Sequence, residues 1–136
     1  MSPRIPKVLV VEDADPLRKM IASMLRAGGY EVLEAADGTE ALAVFALEPD
    51  SIDLILTDIV MPRMNGRELA DRLSLLRREC PVVFMSGYVD DGAVQSITSG
   101  SGSFLRKPFT AQTLIAFVRR NLECAGAASL PFGQAI

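Results

Sequence analysis

Three uninterrupted apolar runs constrain this chain most: Val8-Leu9-Val10-Val11, Leu54-Ile55-Leu56 and Val82-Val83-Phe84-Met85. None alternates polar with apolar residues, as a half-exposed strand would. Each therefore reads as a strand buried on both faces, the signature of a parallel sheet. Each run leads into polar residues: Glu12-Asp13, Thr57-Asp58 and Ser86-Gly87. In open α/β sheets the ligand crevice lies beyond the carboxyl ends of the strands. The same runs thus point to a fold class and to the place where function would sit.

Between these runs the spacing changes to a helical period. Asp15-Pro16 opens a predicted helix, with Asp15 as N-cap and Pro16 at the first helical position. Leu17, Met20, Ile21, Met24 and Leu25 form its apolar stripe, and Gly28-Gly29 supplies the stop. Tyr30 to Ala36 reads as a short strand, and its Glu31 and Glu34 suggest a sheet edge. Gly38 to Leu47 reads as a second helix, with Ala41, Leu42, Phe45 and Ala46 on its buried face. Gly66 to Arg78 reads as a third, with Leu69, Leu73 and Leu76 inward. Asp90 to Ile97 carries a sparser helical pattern, followed by the loop Gly100-Ser101-Gly102-Ser103. Phe104 to Lys107 reads as a fifth strand, ended by Pro108. Thr110 then caps a last helix with Leu114, Ile115, Val118 and Leu122 on its stripe. Five strands alternating with five helices predict an α/β fold, a doubly wound (βα)5 with a five-stranded parallel sheet. For about 120 residues the flavodoxin-like order 2-1-3-4-5 is expected. Residues 1–124 form one expected domain, and 125–136 a tail with no domain of its own.

Composition narrows the function classes. Hydrophobic residues make up 49% of the 136 residues, which excludes a disordered chain. A net charge of -3 gives no basic footprint for nucleic acid. No apolar run reaches the roughly 18 residues of a membrane span. Met1 to Lys7 carries no signal-peptide pattern, and a cytoplasmic location is the expectation. The two cysteines, Cys80 and Cys124, have no metal or redox spacing and read as free thiols. There is no histidine at all, so the chain's chemistry must run on carboxylates, hydroxyls, Lys, Arg and the backbone.

In the order 2-1-3-4-5 the first and third strands are neighbours, so Glu12, Asp13 and Asp58 converge at one end of the sheet. At an effective dielectric near 20, each pair of like charges ~4 Å apart costs ~4 kcal/mol. Such a cluster calls for a cation, and all-oxygen ligation suits a hard ion such as Mg²⁺. The fourth and fifth strands add the hydroxyl of Ser86 and the ammonium of Lys107. Taken singly, each residue has an ordinary explanation. Asp58 could cap the next loop, Glu12-Asp13 could complement a helix dipole, Ser86 could be a turn residue and Lys107 could be solvated. Their joint placement at strand C-termini favours one site able to bind a phosphoryl group.

The motifs Val10-Val11-Glu12-Asp13, Thr57-Asp58-Ile59-Val60-Met61-Pro62-Arg63-Met64-Asn65-Gly66, Met85-Ser86-Gly87-Tyr88 and Phe104-Leu105-Arg106-Lys107-Pro108-Phe109 stand in that order. With these motifs the chain resembles the receiver domains of two-component response regulators, from about Lys7 to Glu123. The resemblance implies that Asp58 is the phosphoacceptor, taking its phosphoryl group from a phosphohistidine. It implies Mg²⁺ held by Glu12, Asp13, Asp58 and the backbone carbonyl of Val60. Lys107 would pair with the phosphoryl oxygens, Ser86 would hydrogen-bond one of them, and Phe104 would be the aromatic switch partner of Ser86. The Lys107-Pro108 bond would be cis. The implied partners are a sensor histidine kinase or histidine phosphotransfer protein, and a downstream protein. The downstream protein would bind a face made by the fourth predicted helix, the fifth strand and the last helix. Direct binding to nucleic acid or membrane is not implied, and a homodimer formed on phosphorylation is compatible with the family. Val60 and Tyr88 stand where the family tunes hydrolysis, so a persistent phosphorylated state is expected. Gly92 to Ser103 is expected to be the least stable segment. Two features depart from the family's usual pattern: Glu12 stands where Asp is commoner, and the stretch before Phe104 is rich in Ser and Gly.

Two other readings compete. A Mg²⁺-dependent phosphohydrolase with an Asp nucleophile usually needs a second Asp two residues further on as general acid. That position here is Val60, and no cap domain is visible in the sequence. A pseudo-receiver that binds partners without phosphorylation would not need Asp13, Asp58, Ser86 and Lys107 together.

Overall fold

The structure, a computed structural model, describes residues 5–76, 80–86 and 104–129. Its strands are β1 (Lys7–Val11), β2 (Glu31–Ala35), β3 (Leu54–Asp58), β4 (Val82–Ser86) and β5 (Phe104–Arg106). The helices among the described residues are α1 (Asp15–Ala27), α2 (Gly38–Leu47), α3 (Gly66–Leu76) and α4 (Ala111–Ser129). The strands form one parallel sheet in the order β2-β1-β3-β4-β5, as the alternation of patterns predicts. The helix expected over Asp90 to Ile97, the loop that follows it and Tyr88 lie outside the described residues.

Successive side chains of a strand point to opposite faces, which splits the core into two layers. Val8, Val10, Leu54 and Leu56 face α1 and α4, where Ile21, Leu25, Leu114 and Val118 meet them. Leu9, Val11 and Ile55 face α2 and α3, against Phe45, Leu69 and Leu73. All of these side chains are almost wholly removed from water. At about 1.5–3 kcal/mol for each large apolar side chain, this double burial is what makes an uninterrupted apolar strand favourable. β2 is an edge strand, as its acids suggest.

Several local expectations need correction. Asp15 is the first helical residue rather than the cap. Ala14 is the N-cap, without a side-chain hydrogen bond, and the Asp15 carboxylate instead meets Arg18 at 2.7 Å. Ala46 is exposed, because the sheet-facing side of α2 is taken by Ala41 and Phe45. Leu76 is half exposed at the end of α3, past the helix's last buried contact at Leu73. Met20 is also half exposed, one step around α1 from buried Ile21. Phe117, absent from the predicted stripe, is buried in α4. That helix continues through Ser129, into the segment expected to be a tail.

The starts of α2, α3 and α4, unlike that of α1, carry side-chain caps. Asn65 Oδ1 accepts from the Glu68 N–H at 2.8 Å, and Glu68 Oε1 accepts from the Asn65 N–H at 2.9 Å. This reciprocal pair satisfies two donors that a helix start leaves open. Asp37 Oδ1 accepts from Glu40 N–H at 2.8 Å, while Glu40 accepts from the Ala36 N–H. Thr110 caps α4 through the Thr113 N–H at 3.0 Å, as expected.

Gly66 starts α3 directly behind Asp58. Its N–H donates to the Ile59 carbonyl at 2.8 Å, and a Cβ there would lie 2.5 Å from the Asp58 carbonyl oxygen. That neighbour is backbone and cannot turn aside. Gly66→Ala is therefore expected to destabilise the domain by about 1–3 kcal/mol through overpacking, measured by urea unfolding. Unchanged stability would show that the close approach is not a constraint.

Candidate functional site

Parallel register brings the strand ends level. Val11 pairs with Thr57, Asp58 with Met85, and Ser86 with Arg106. The residues just past these pairs therefore gather at one edge: Glu12 and Asp13 from β1, Asp58 from β3, Ser86 from β4 and Lys107 from β5. Glu12, Asp58 and Ser86 are buried, with Glu12 only 2% exposed, whereas Asp13 is exposed.

Glu12, Asp13 and Asp58 each place one carboxylate oxygen within 4.8 Å of the other two. Lys107 Nζ reaches into this cluster, 2.6 Å from Glu12 Oε1 and 3.3 Å from Asp58 Oδ2. Glu12 Oε2 accepts from the Ala14 N–H at 3.1 Å, so both its oxygens are engaged. The Lys107 N–H donates to the Ser86 carbonyl at 2.8 Å, and the Lys107-Pro108 bond is cis. Burial, and then the Glu12 carboxylate beside it, pushes the Asp58 carboxyl up to about 7, against the opposing pull of Lys107. One ammonium among three carboxylates leaves the cluster short of positive charge. An all-oxygen set of this kind suits a small hard cation.

The loop after β3 is tied at both ends. Ile59 N–H donates to Met85 O at 3.0 Å, and Gly66 N–H to Ile59 O at 2.8 Å. Between them Val60 is exposed, and Arg63 adopts a left-handed φ of 67° while its guanidinium meets Asp37 Oδ2 at 3.1 Å. Phe104 is partly buried, with the Arg106 guanidinium 5.7 Å from its ring centroid. Between α1 and the end of β5 lies a notch of about 290 Å³ lined by Leu17, Met20, Lys107, Pro108 and Phe109.

Arg18 escaped the sequence reading. It is buried in α1, and its Nη1 donates to the backbone carbonyl of Glu12 at 2.9 Å. The signal was available: Arg18 precedes Ile21, Ala22 and Leu25 at helical spacing on the buried face.

A parallel sheet in this order, with clustered acids, a lysine and a hydroxyl at its carboxyl edge, defines a flavodoxin-like α/β domain with a charged cluster at that edge. The family model described as the response regulator receiver domain matches residues 8–119, and the chain belongs to that family. The sensor kinase CckA of Brucella abortus is 35% identical over 117 residues, which are 85% of this chain and 12% of that protein. The phosphate regulon regulator PhoB of Pseudomonas aeruginosa is 34% identical over 122 residues, 88% of this chain and 52% of that protein. The chain thus spans about half or less of these relatives' length. A receiver domain structure from Clostridium thermocellum superposes with a TM-score of 0.82 at 30% identity, covering 91% of this chain and 99% of that one. The receiver domain of the hybrid histidine kinase CckA gives 0.73 at 39% identity, over 85% and 98%. No helix among the described residues is long and apolar enough to cross a membrane.

The raised Asp58 carboxyl carries a pH signature. Below about pH 4 the group is protonated in both folded and unfolded chains and costs nothing. Between about 4 and 7 only the unfolded chain ionises freely, so the domain loses stability as pH rises, and above 7 the loss is complete. Asp58→Asn removes this penalty. In metal-free buffer its stability gain over the wild type is expected to be near zero at pH 4. It should grow to a few kcal/mol, ~4 at most, by pH 8, measured by denaturant unfolding at each pH. A gain independent of pH would contradict the burial of an ionisable Asp58.

Proposed function

We propose that this chain is a phosphoacceptor switch in a two-component phosphorelay, with Asp58 as the residue that takes the phosphoryl group. The carrying observation is the Lys107 ammonium lodged between Glu12 and Asp58, within a cluster of three carboxylates. In this reading Glu12, Asp13, Asp58 and the Val60 carbonyl hold Mg²⁺, which supplies charge neutralisation at the phosphoryl oxygens. An Asp58 oxygen attacks phosphorus while the P–N bond of a phosphohistidine breaks, and the electron pair leaves with the imidazole nitrogen. Phosphoryl transfer asks for positioning and charge compensation more than for covalent help from the protein. Lys107 leaves Glu12 to pair with the new anion, which carries about -1.5 to -2 charge. Ser86 hydrogen-bonds another oxygen, and Phe104 moves into the space Ser86 vacates.

The donor is a sensor kinase or histidine phosphotransfer protein. The apolar notch beside Lys107, rimmed by half-exposed Met20, suits a helix presented next to the donor histidine. The output is a protein partner bound on the side of β5 and α4, from a cytoplasmic location. The domain acts on its own phosphorylation and dephosphorylation rather than as a free-standing enzyme. The lengths of the relatives accommodate both a stand-alone regulator and a receiver within a hybrid kinase.

Acetyl phosphate with Mg²⁺ is expected to add one phosphoryl mass to the wild type and none to Asp58→Asn, by intact-mass spectrometry. Labelling of the Asn variant to the same extent would refute the assignment. The metal has its own ordering. Both Glu12 oxygens are engaged by protein donors whereas Asp13 is exposed, so Asp13→Asn is expected to weaken Mg²⁺ binding more than Glu12→Gln. A titration with equal or reversed effects would refute this ordering.

A further inference from the structure

Arg18 lies six residues past Glu12, and its side chain is 11% exposed. A guanidinium this far from water needs its donors met. Three directions of its planar fork are occupied. Nη1 donates to the Glu12 carbonyl at 2.9 Å, Nη2 meets Asp15 Oδ1 at 2.7 Å, and Nε meets Glu34 Oε1 at 3.3 Å. Glu34 stands on the edge strand β2 and also receives Lys19 at 3.1 Å and Arg26 at 3.4 Å. Burial pushes the Glu34 carboxyl up, but hydrogen bonds from Lys19 and Arg18 outweigh it and hold the group below the usual carboxylate range.

The Glu12 carbonyl belongs to the peptide unit joining Glu12 to Asp13, and that unit is planar. Fixing its oxygen fixes the plane from which both acidic side chains depart. We infer that Arg18 is a positioning residue for the acid cluster. It sets the Glu12–Asp13 peptide plane through its fork, with Glu34 as its anchor, and the cluster's cation affinity depends on it. This rests on the reading of Glu12, Asp13 and Asp58 as a Mg²⁺ site. Coulomb forces alone predict the opposite: removing a positive charge near three carboxylates should tighten the binding of a dication. An Arg→Lys change keeps the charge but replaces the fork with one point donor, which cannot span the three partners.

The test is calorimetric titration of MgCl₂ into the wild type, Arg18→Met, Arg18→Lys and Glu34→Gln at one ionic strength, with thermal melts confirming that each is folded. Arg18→Met is expected to bind Mg²⁺ about tenfold more weakly, at the lower end of the effect of removing an outer-shell partner. Arg18→Lys should remain several-fold weaker than the wild type, and Glu34→Gln should lose a smaller factor because Asp15 still holds the fork. Equal or tighter binding by Arg18→Met overturns the inference, as does full rescue by Lys, which would make charge the only contribution. If Arg18→Met does not fold, unchanged affinity in Glu34→Gln overturns it. Wild-type protein that binds no Mg²⁺ overturns the metal reading and this inference together. Binding by the wild type that Arg18→Met leaves unaltered overturns this inference alone.

Discussion

The Lys107 ammonium between the buried carboxylates of Glu12 and Asp58 is the interaction on which the rest of the site depends. It joins the ends of β1, β3 and β5, and in this sheet order β5 is separated from β3 by β4. Bringing Lys107 across that distance requires the carboxyl end of β4 to be low and narrow. Ser86 provides this, small and buried, with its carbonyl accepting the Lys107 N–H. Without the lysine, two carboxylates would share a site with little water and no counter-charge, an arrangement that costs several kcal/mol. With it the cluster is still under-compensated, and burial first, then the neighbouring Glu12 carboxylate, hold the Asp58 carboxyl up to about 7 against the pull of Lys107. A site in that condition has a built-in preference for any ligand that brings positive charge.

The scaffold holds this cluster from behind rather than from within. Gly66 allows α3 to begin against the Asp58 backbone, and the Asn65–Glu68 pair locks that start. Arg63 reaches across to Asp37 and ties the loop after β3 to the head of α2. The Asp37 carboxyl is held below its usual range by the Glu40 N–H and, despite some burial, by Arg63. On the other layer, the Arg18 and Glu34 network fixes the turn after β1. The acids at the carboxyl edge are therefore carried on backbone that is pinned on both sides of the sheet.

Much of this was legible in the sequence because it depends on pattern. Uninterrupted runs such as Val8 to Val11 and Leu54 to Leu56 are favourable between two helical layers, and that requirement yields the parallel sheet. The order usual for a chain of this length then brings Glu12, Asp13 and Asp58 together, with Ser86 and Lys107 at the neighbouring strand ends. The details that were not read depend on competition between local options. Asp15 could cap its helix or pair with Arg18, and the nearby guanidinium won. Asp37 to Glu40 and Asn65 to Glu68 carry a capping spacing that can be read directly, but it is easily passed over beside the apolar signal. The burial of Arg18 is not legible locally, because it depends on Glu34, a partner from β2 that no local window contains. Ala46 lies one step around α2 from buried Phe45, and Leu76 lies past the last buried contact of α3, so periodicity overstates their burial.

The most direct test of the account is a crystal structure of the protein with Mg²⁺ and beryllofluoride. Beryllium is expected bonded to an Asp58 carboxylate oxygen, with the metal ion against Asp13, Asp58 and the Val60 carbonyl and Glu12 reaching it through water. Lys107 Nζ is expected to have left Glu12 Oε1 for a fluoride. Beryllofluoride bound elsewhere, or Lys107 still paired with Glu12 while Asp58 carries the adduct, would contradict it.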